Sequence, residues 1–399
     1  MLSAEQYRER VAGLVPPMPV VRLPLDRCAG LVLAEDVVAG VSLPPFDNSA
    51  MDGYAVRAAD LAGEETVLPV ADDIPAGRTD VAPLAPGTAH RIMTGAPMPP
   101  GADAVVQVEL TDGGTEGTVV IRATVEPGRH VRRTGEDVVA GTVVLRAGTP
   151  LRSAQLGLAA AVGLAELPVR RAPRVVVLST GTELTPPGEP LAPGRIYESN
   201  SVLLAAAVRE IGGEASVLRA VSDDVEAFLA TLAGLDGADL LITSGGVSAG
   251  AYEVVKDALA DRGVEFLRVA VQPGGPQGSG RVALPGGAEL PVVALPGNPV
   301  SAALSFELFA RPALLAAMGH TRLDRPRATA RTVEPLSSPE GKEQYRRGRH
   351  DEGVVEVVPV GGPGSHLLAS FAESNCLIVL PVGVADVAGG DLVELILLD

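Results

Sequence analysis

The rhythm of apolar and polar positions changes several times along the chain, and each change marks a block. Ser3 followed by Gln6 is a capping-box pattern, which predicts a helix to about Leu14 that the Pro16-Pro17 pair stops. From Pro44 to about Val131, valine-rich pieces such as Ala104 to Val108 and Thr118 to Ile121 sit between Pro-Gly and Gly-Gly turns, which predicts short strands. A helical stretch returns at Ser153 to Val162. From Pro173 apolar runs alternate with helical stretches. Strands are expected at Arg174 to Thr180, Ala215 to Val221, Asp239 to Thr243, Phe266 to Val271 and Pro291 to Leu295, and helices near 200–211, 223–234, 251–261 and 299–318. Such alternation predicts a mostly parallel sheet with helices on both faces and ligands at the carboxyl ends of its strands. After Arg325 the pattern is β again, at Ala328 to Val333, Val354 to Val360, Cys376 to Leu380 and Leu392 to Leu398, enough for a small barrel or sandwich.

The expected strand ends repeat one chemical theme. Leu240 to Thr243 empties into Ser244-Gly245-Gly246-Val247-Ser248-Ala249-Gly250, Val175 to Leu178 into Ser179-Thr180-Gly181-Thr182-Glu183, and Pro291 to Leu295 into Pro296-Gly297-Asn298-Pro299-Val300-Ser301. Glycine-rich loops ahead of helices gather backbone N–H groups and hydroxyls that suit a phosphate or another oxyanion. Neither a P-loop ending nor a G-x-G-x-x-G spacing is present, so the pattern alone stops at an anion near a strand end. Asn298 is a fitting N-cap and Pro299 a fitting first helical residue. Glu183, Asp223 and Glu253 are candidate carboxylates, and Mg²⁺ could bridge them to phosphate oxygens because that hard cation takes oxygen ligands.

Composition narrows the function classes. A net charge of -17, no Trp and 3% aromatic residues oppose binding to nucleic acid. No basic-then-apolar leader opens the chain, and no apolar run is expected to approach the roughly 20 residues of a bilayer span, so neither membrane nor export is expected. Cys28 and Cys376 stand far apart and read as core thiols of a cytoplasmic protein. The five histidines show no zinc-type spacing. Two basic spots, Arg129 to Asp137 and Arg346-Arg347-Gly348-Arg349, read as solvated faces or as attraction for an anionic substrate.

Read together, Pro44-Pro-Phe-Asp-Asn-Ser-Ala-Met-Asp-Gly-Tyr-Ala55, Ile92-Met-Thr-Gly-Ala-Pro97, Gly135-Glu-Asp137, Ser179 to Glu183, Ser244 to Ser248, Leu295 to Ser301 and Gly364-Ser-His366 closely resemble the MoeA family of molybdopterin molybdenumtransferases, which includes the C-terminal domain of gephyrin. The resemblance covers nearly the whole chain in order. It implies a multidomain α/β and β protein: a segmented helical domain over 1–43 and 137–170, a β-rich lid over 44–136, a three-layer α/β molybdopterin-binding domain over 171–320 and a C-terminal β-barrel over 321–399. It also implies a homodimer, Mg²⁺ as cofactor, contact with other proteins of molybdenum cofactor synthesis, and a reaction in which adenylylated molybdopterin and molybdate give molybdenum cofactor and AMP.

The residues that the resemblance places in that reaction are specific. Asp52, Asp137, Glu183, Asp223 and Glu253 are the acidic positions, with Asp52 reaching the site across the dimer interface. Substrate contacts fall on Thr94, Gly95, Thr180, Gly181, Ser199, Asn200, Ser244, Gly245, Gly246, Ser248, Arg268, Pro296, Gly297, Asn298 and Pro299. Gln272, Gly275, Pro276, Ser301, Arg347 and Ser365 fall on the molybdate pocket. Two departures stand out: Glu253 where the family commonly has Asp, and Gln272 and Gly275 where it typically has lysines. Because charge-assisted hydrogen bonds contribute about 1.5–3 kcal/mol each, that loss implies weaker molybdate binding than in a lysine-bearing relative. A molybdopterin-binding paralogue or scaffold without insertase activity is the alternative, and an adenylyltransferase would leave the lid and barrel unexplained.

Overall fold

The computed structural model describes residues 1–398 apart from 115–116, 222–223, 236, 248–253, 286 and 352. Strand alternation feeds two cores. In Arg174–Thr180, Val175 and Val177 enter one core and Val176 and Leu178 the other; in Glu289–Leu295, Val293 and Leu295 part from Val292 and Ala294 in the same way. Strands buried on both faces need a helical layer on each side. The sheet runs Glu214–Val221, Arg174–Thr180, Leu240–Ser244, Glu289–Leu295, Pro276–Ala283, Val264–Arg268. The first four strands are parallel, and Pro276–Ala283 alone is antiparallel to its two neighbours. Helices Asn200–Glu210 and Pro299–Ala317, with the N-terminal Ala4–Ala12, cover one face, and Val225–Ala233 and Val254–Leu259 the other.

The N-terminal helix forms as its capping box predicts, with Gln6 N–H donating to Ser3 Oγ and Ser3 N–H to Gln6 Oε1. It docks on residues far along the chain. Leu2 and Val269 form a bridge, the Tyr7 hydroxyl donates to Gly278 O at 3.0 Å, and the Tyr7 ring meets Phe309 edge-on at 4.8 Å. Such a ring pair adds about 0.5–1.5 kcal/mol beyond area burial.

The expected strand over Phe266 to Val271 forms instead as Val264–Arg268, followed by a separate two-residue strand Val271–Gln272. The antiparallel Pro276–Ala283 is an unexpected addition. Its glycines hid it: a Cβ on Gly278 would lie 2.7 Å from the Phe266 ring, so close packing selects against the β-formers that announce a strand. The expected helix over 299–318 is also interrupted, by a π-turn at Phe306–Ala310. Pro312 supplies the cause, since it has no N–H to donate back one turn. This Pro299–Ala317 helix is, contrary to expectation, apolar and long enough to cross a bilayer, with mean hydropathy 1.4, but 78% of that window is buried inside the protein.

Residues on either side of the lid pair with one another. Val20–Pro24 is antiparallel to Glu166–Arg170, and Val37–Val38 to Val143–Leu145, with helix Ser153–Ala161 alongside. The lid is a five-stranded sheet ordered Ala104–Gln107, Gly53–Val56, Ala89–Ile92, Thr66–Ile74, Thr118–Ile121. At the C-terminus, Glu343–Arg349, Glu356–Pro359, Arg327–Thr332, Leu392–Leu397 and Cys376–Leu380 close into a barrel because the last strand pairs back to the first. Sequence patterning did not mark Glu343–Arg349 as a strand. That strand also pairs with Val271–Gln272 and so fastens the barrel to the edge of the α/β part.

Candidate functional site

A cavity of about 1430 Å³ opens at the carboxyl ends of the parallel strands. Its walls are the loops after Arg174–Thr180, Leu240–Ser244 and Glu289–Leu295, the start of helix Asn200–Glu210, the Arg268 to Pro276 turn, and Lys342 with Pro363 to His366 from the barrel side. Three expected anion loops therefore converge, and a shared network holds them. Asn200 Nδ2 donates to Ser244 Oγ at 2.8 Å and to Gly297 O at 2.6 Å, while Ser244 Oγ–H donates to Pro296 O at 3.2 Å. One amide thus ties the helix start to two strand ends. Its own Oδ1 is buried without a hydrogen-bond partner among the described residues. A buried acceptor left so costs on the order of 1–3 kcal/mol.

A second tie is Glu198, which sequence reasoning missed. Its buried carboxylate accepts from Ser179 Oγ at 2.8 Å and from Ser201 N–H at 2.8 Å, and the Ser201 hydroxyl donates to its other oxygen. Glu198 thereby clamps the loop after Arg174–Thr180 to the start of helix Asn200–Glu210. The Glu-Ser-Asn-Ser run carries only a faint capping signal, because the carboxylate acts through a loop 19 residues upstream. Glu183 lines the cavity as an available oxygen donor.

Gly245 and Gly246 are demanded by close approach. Both have positive φ, and an added Cβ would lie 2.8 Å from Thr180 O at Gly245 and 2.9 Å from Val255 Cγ2 at Gly246. The absence of side chains there lets a ligand approach the backbone closely, although the Gly245 N–H itself donates to Leu295 O at 3.1 Å. Asn298 does sit at the N-cap of the following helix, but its side chain makes no capping bond, contrary to its expected role. One free N–H of that first turn, on Val300, donates to Ser365 O at 3.1 Å, so the barrel loop is seated on the helix start.

Thr180, Gly181, Ser199, Asn200, Ser244, Gly245, Gly246, Arg268, Pro296, Gly297, Asn298 and Pro299 all line the cavity, as do Gln272, Gly275, Pro276, Ser301 and Ser365. Arg347 does not. It is 3% exposed, and its guanidinium donates to the carbonyls of Gly362, Gly364 and Val360. Burial, and then the neighbouring Arg346, lower its pKa. Arg347 therefore shapes the segment that presents Ser365 and His366, and it is not placed at the cavity wall as expected. The basic spot around it is likewise bound up locally, with Arg346 reaching Gly361 O and Arg349 facing Asp351.

Four expected residues sit in or beside the lid and away from this cavity. Asp52 Oδ1 accepts from Thr94 N–H at 2.6 Å and from Thr94 Oγ–H at 2.8 Å, and those bonds hold its carboxyl below the ordinary range. Gly95 lies in the same turn, and Asp137 N–H donates to Leu43 O. Asp47 fastens this motif to the basic run: it accepts from Thr134 N–H at 2.7 Å, from Thr134 Oγ–H at 2.9 Å and from Arg133 Nη1 at 2.7 Å, all of which lower its pKa. Arg133 of that run is thus engaged locally, while Arg129 and Arg132 are exposed. Asp223, Ser248 and Glu253 lie outside the described residues. Asp224, beside the first of them, is a helix cap whose Oδ1 accepts from Ala227 N–H at 2.8 Å.

The match to known proteins runs the length of the chain. Residues 2–163 match the MoeA N-terminal region (domain I and II), 176–316 a probable molybdopterin binding domain, and 329–398 the MoeA C-terminal region (domain IV). The chain is 53% identical over 403 residues to molybdopterin molybdenumtransferase 2 of Mycobacterium tuberculosis H37Rv, covering 98% of each. It is 36% identical to the molybdopterin molybdenumtransferase of Haemophilus influenzae, covering 99% of this chain and 98% of that one. The crystal structure of the molybdopterin biosynthesis MoeA protein of Pyrococcus horikoshii matches with a TM-score of 0.83 at 32% identity, over 100% of this chain and 99% of that one. With relatives this close over its full length, the chain belongs to the MoeA family of molybdopterin molybdenumtransferases.

Proposed function

We propose that this protein inserts molybdenum into adenylylated molybdopterin, forming molybdenum cofactor and releasing AMP. The observation that carries this reading is the convergence of three strand-end loops on one cavity in a chain 53% identical to a molybdopterin molybdenumtransferase. The backbone of Thr180 to Gly181 and Gly245 to Gly246 cradles phosphate. Asn200 fixes Ser244 and Gly297 at the cavity wall. Ser301 and Ser365, brought side by side by the Val300 N–H to Ser365 O bond, face molybdate. Glu183 supplies an oxygen ligand of the kind Mg²⁺ takes, and the bound ion would neutralise phosphoanhydride charge.

The lid completes the site from a second protomer of a homodimer. Asp52 is pre-oriented by Thr94, and Asp137 lies at the lid's other join. Their work in this reading is to hold a proton or a water at the phosphoanhydride once the lid meets the partner's cavity. Purified protein mixed with adenylylated molybdopterin, Mg²⁺ and molybdate is expected to release AMP and yield cofactor. Pterin binding without AMP release at any molybdate concentration would overturn the reading in favour of a binding paralogue.

A further inference from the structure

A ligand with flat, uncharged rings needs more from this cavity than loops that suit anions. Most of the wall is glycine, serine, threonine and proline, and among the described residues the aromatic rings in it are those of Tyr197 and His366. His366 stands next to Ser365 on the barrel side, so Tyr197 is the ring of the other side. In a chain with no Trp and only 3% aromatic residues, an exposed ring at a cavity wall is an uncommon placement.

Tyr197 is held firmly for an exposed residue. It belongs to the two-residue strand Ile196–Tyr197, which pairs with Leu184–Thr185. Ile196 N–H donates to Glu183 O at 3.0 Å and Glu198 N–H to Thr185 O at 2.9 Å, so backbone bonds fix it on both sides. Its hydroxyl donates to Glu189 O at 3.1 Å, in a connecting arm that carries Pro186, Pro187, Pro190 and Pro193. Their fixed φ angles limit how far the arm shifts. Tyr197 is nonetheless 48% exposed, so an anchored ring still has surface to offer. A side chain ordered before its ligand arrives loses little entropy on binding.

Strand order sets where this ring falls along an extended ligand. From Arg174–Thr180, which leads into the arm, the sheet runs through Leu240–Ser244 and Glu289–Leu295 to Pro276–Ala283, which begins at the Gln272 to Pro276 turn. Those three steps of roughly 4.8 Å separate arm and turn by about 14 Å. The two middle strands end in the Ser244 to Gly246 loop and in Pro296 to Ser301. Adenylylated molybdopterin has its pterin and dithiolene at one end, two phosphates in the middle and adenine at the other. With molybdate, and so the dithiolene, toward Ser301 and Ser365 and the phosphates over the middle loops, adenine falls at the arm.

We propose that Tyr197 is the platform on which the adenine of the adenylylated substrate stacks, so that the arm recognises the departing nucleotide by its base. The inference rests on the molybdenum-insertion reading above. Stacking on a tyrosine needs no charge, which suits a neutral base at the end of a cavity whose middle is built for anions.

The test uses the full-length protein with AMP as the probe, its affinity measured by calorimetry. Tyr197→Ala and Tyr197→Leu are each expected to weaken AMP binding by about tenfold or more, since leucine keeps apolar bulk but no π face. Tyr197→Phe should bind AMP to within about threefold of the parent. With no Trp to mask it, tyrosine emission reports the contact directly: AMP should quench it in the parent and less in Tyr197→Phe. Melting temperatures, and affinity for molybdopterin, which carries no adenine, should stay close to the parent's. AMP bound by Tyr197→Ala as tightly as by the parent would overturn the assignment. Loss of molybdopterin affinity with AMP affinity kept would overturn it by giving the ring to the pterin, and loss of both with a fallen melting temperature would overturn it by marking a structural role. The functional reading fails separately: a parent that stacks AMP on Tyr197 but releases none from adenylylated molybdopterin would sink insertion and leave the nucleotide platform standing.

Discussion

The strand-end cavity and the lid turn are built from the same residue types, Asp, Glu, Asn, Ser, Thr and Gly, yet they are finished to different degrees. At the strand ends, polar groups from segments far apart in sequence bond to one another around an open volume, with Asn200 Oδ1 buried unpaired behind its wall among the described residues. In the lid, Asp47 and Asp52 are as firmly oriented by local partners, but Asp47 is half-buried, Asp52 is exposed, and neither lines the strand-end cavity. A pre-oriented exposed carboxylate is what a surface needs when its counterpart arrives from another molecule. One region is a container, and the other holds oriented groups outside it.

Substitution should separate the two most sharply at Gly245. A Cβ there would press on Thr180 O in a left-handed backbone, so Gly245→Ala is expected to displace the loop and cut pterin-nucleotide affinity and AMP release by roughly 100-fold. Equilibrium binding and single-turnover AMP release would show it. In the lid, Asp52→Ala should lower AMP release by about tenfold or more without altering pterin binding. Its melting temperature should hold, since Asp52 is exposed. Co-expressing the two variants with distinct tags should restore roughly a quarter of parental activity if each site combines one chain's cavity with the other chain's lid. No recovery would mean that both halves act within one chain.

Stability differences should be smaller and should follow burial. Asp239 opens the strand leading to the glycine loop and accepts from Arg171 Nη1 and Nη2 at 2.6 and 2.7 Å and from Arg174 N–H at 2.7 Å. Burial pushes its carboxyl upward, but these partners more than offset that and leave the pKa lowered. Asp239→Asn should cost on the order of 2 kcal/mol in urea unfolding at neutral pH while AMP release persists. A lowered folded-state pKa contributes stability above the unfolded value of about 3.9 that is lost as pH falls through the folded value. The gap between parent and variant should therefore close below about pH 4. Asp47→Asn, in the exposed lid, should cost at most about 1 kcal/mol and show itself mainly as faster amide exchange near residues 44–55 and 133–134.

Regular strands were legible because they are buried on both faces: Arg174–Thr180 and Glu289–Leu295 read as continuous apolar runs between loops of small residues. Pro276–Ala283 and Glu343–Arg349 were not, the first because glycine fits under Phe266, the second because its sequence is polar and basic. That same strand misled the reading of Arg347. From sequence an arginine near an expected anion pocket looks like an anion ligand, whereas the fold turns it onto backbone carbonyls. The site loops were visible because glycine, serine and asparagine cluster at strand ends. Glu198 was not visible, since it matters only through a partner that the fold brings from elsewhere.

The docking of the N-terminal helix has a consequence for how the chain is made. Tyr7 and Leu2 find their partners at Gly278 and Arg268, so the first helix leaves the ribosome long before its seat exists. At about 5–20 residues per second, the wait is on the order of tens of seconds. Through that interval the helix must remain an unattached amphipathic segment, and Phe309, whose ring it covers, emerges later still. A nascent chain stalled before residue 268 should therefore leave this helix open to protease, and one stalled well past 310 should protect it.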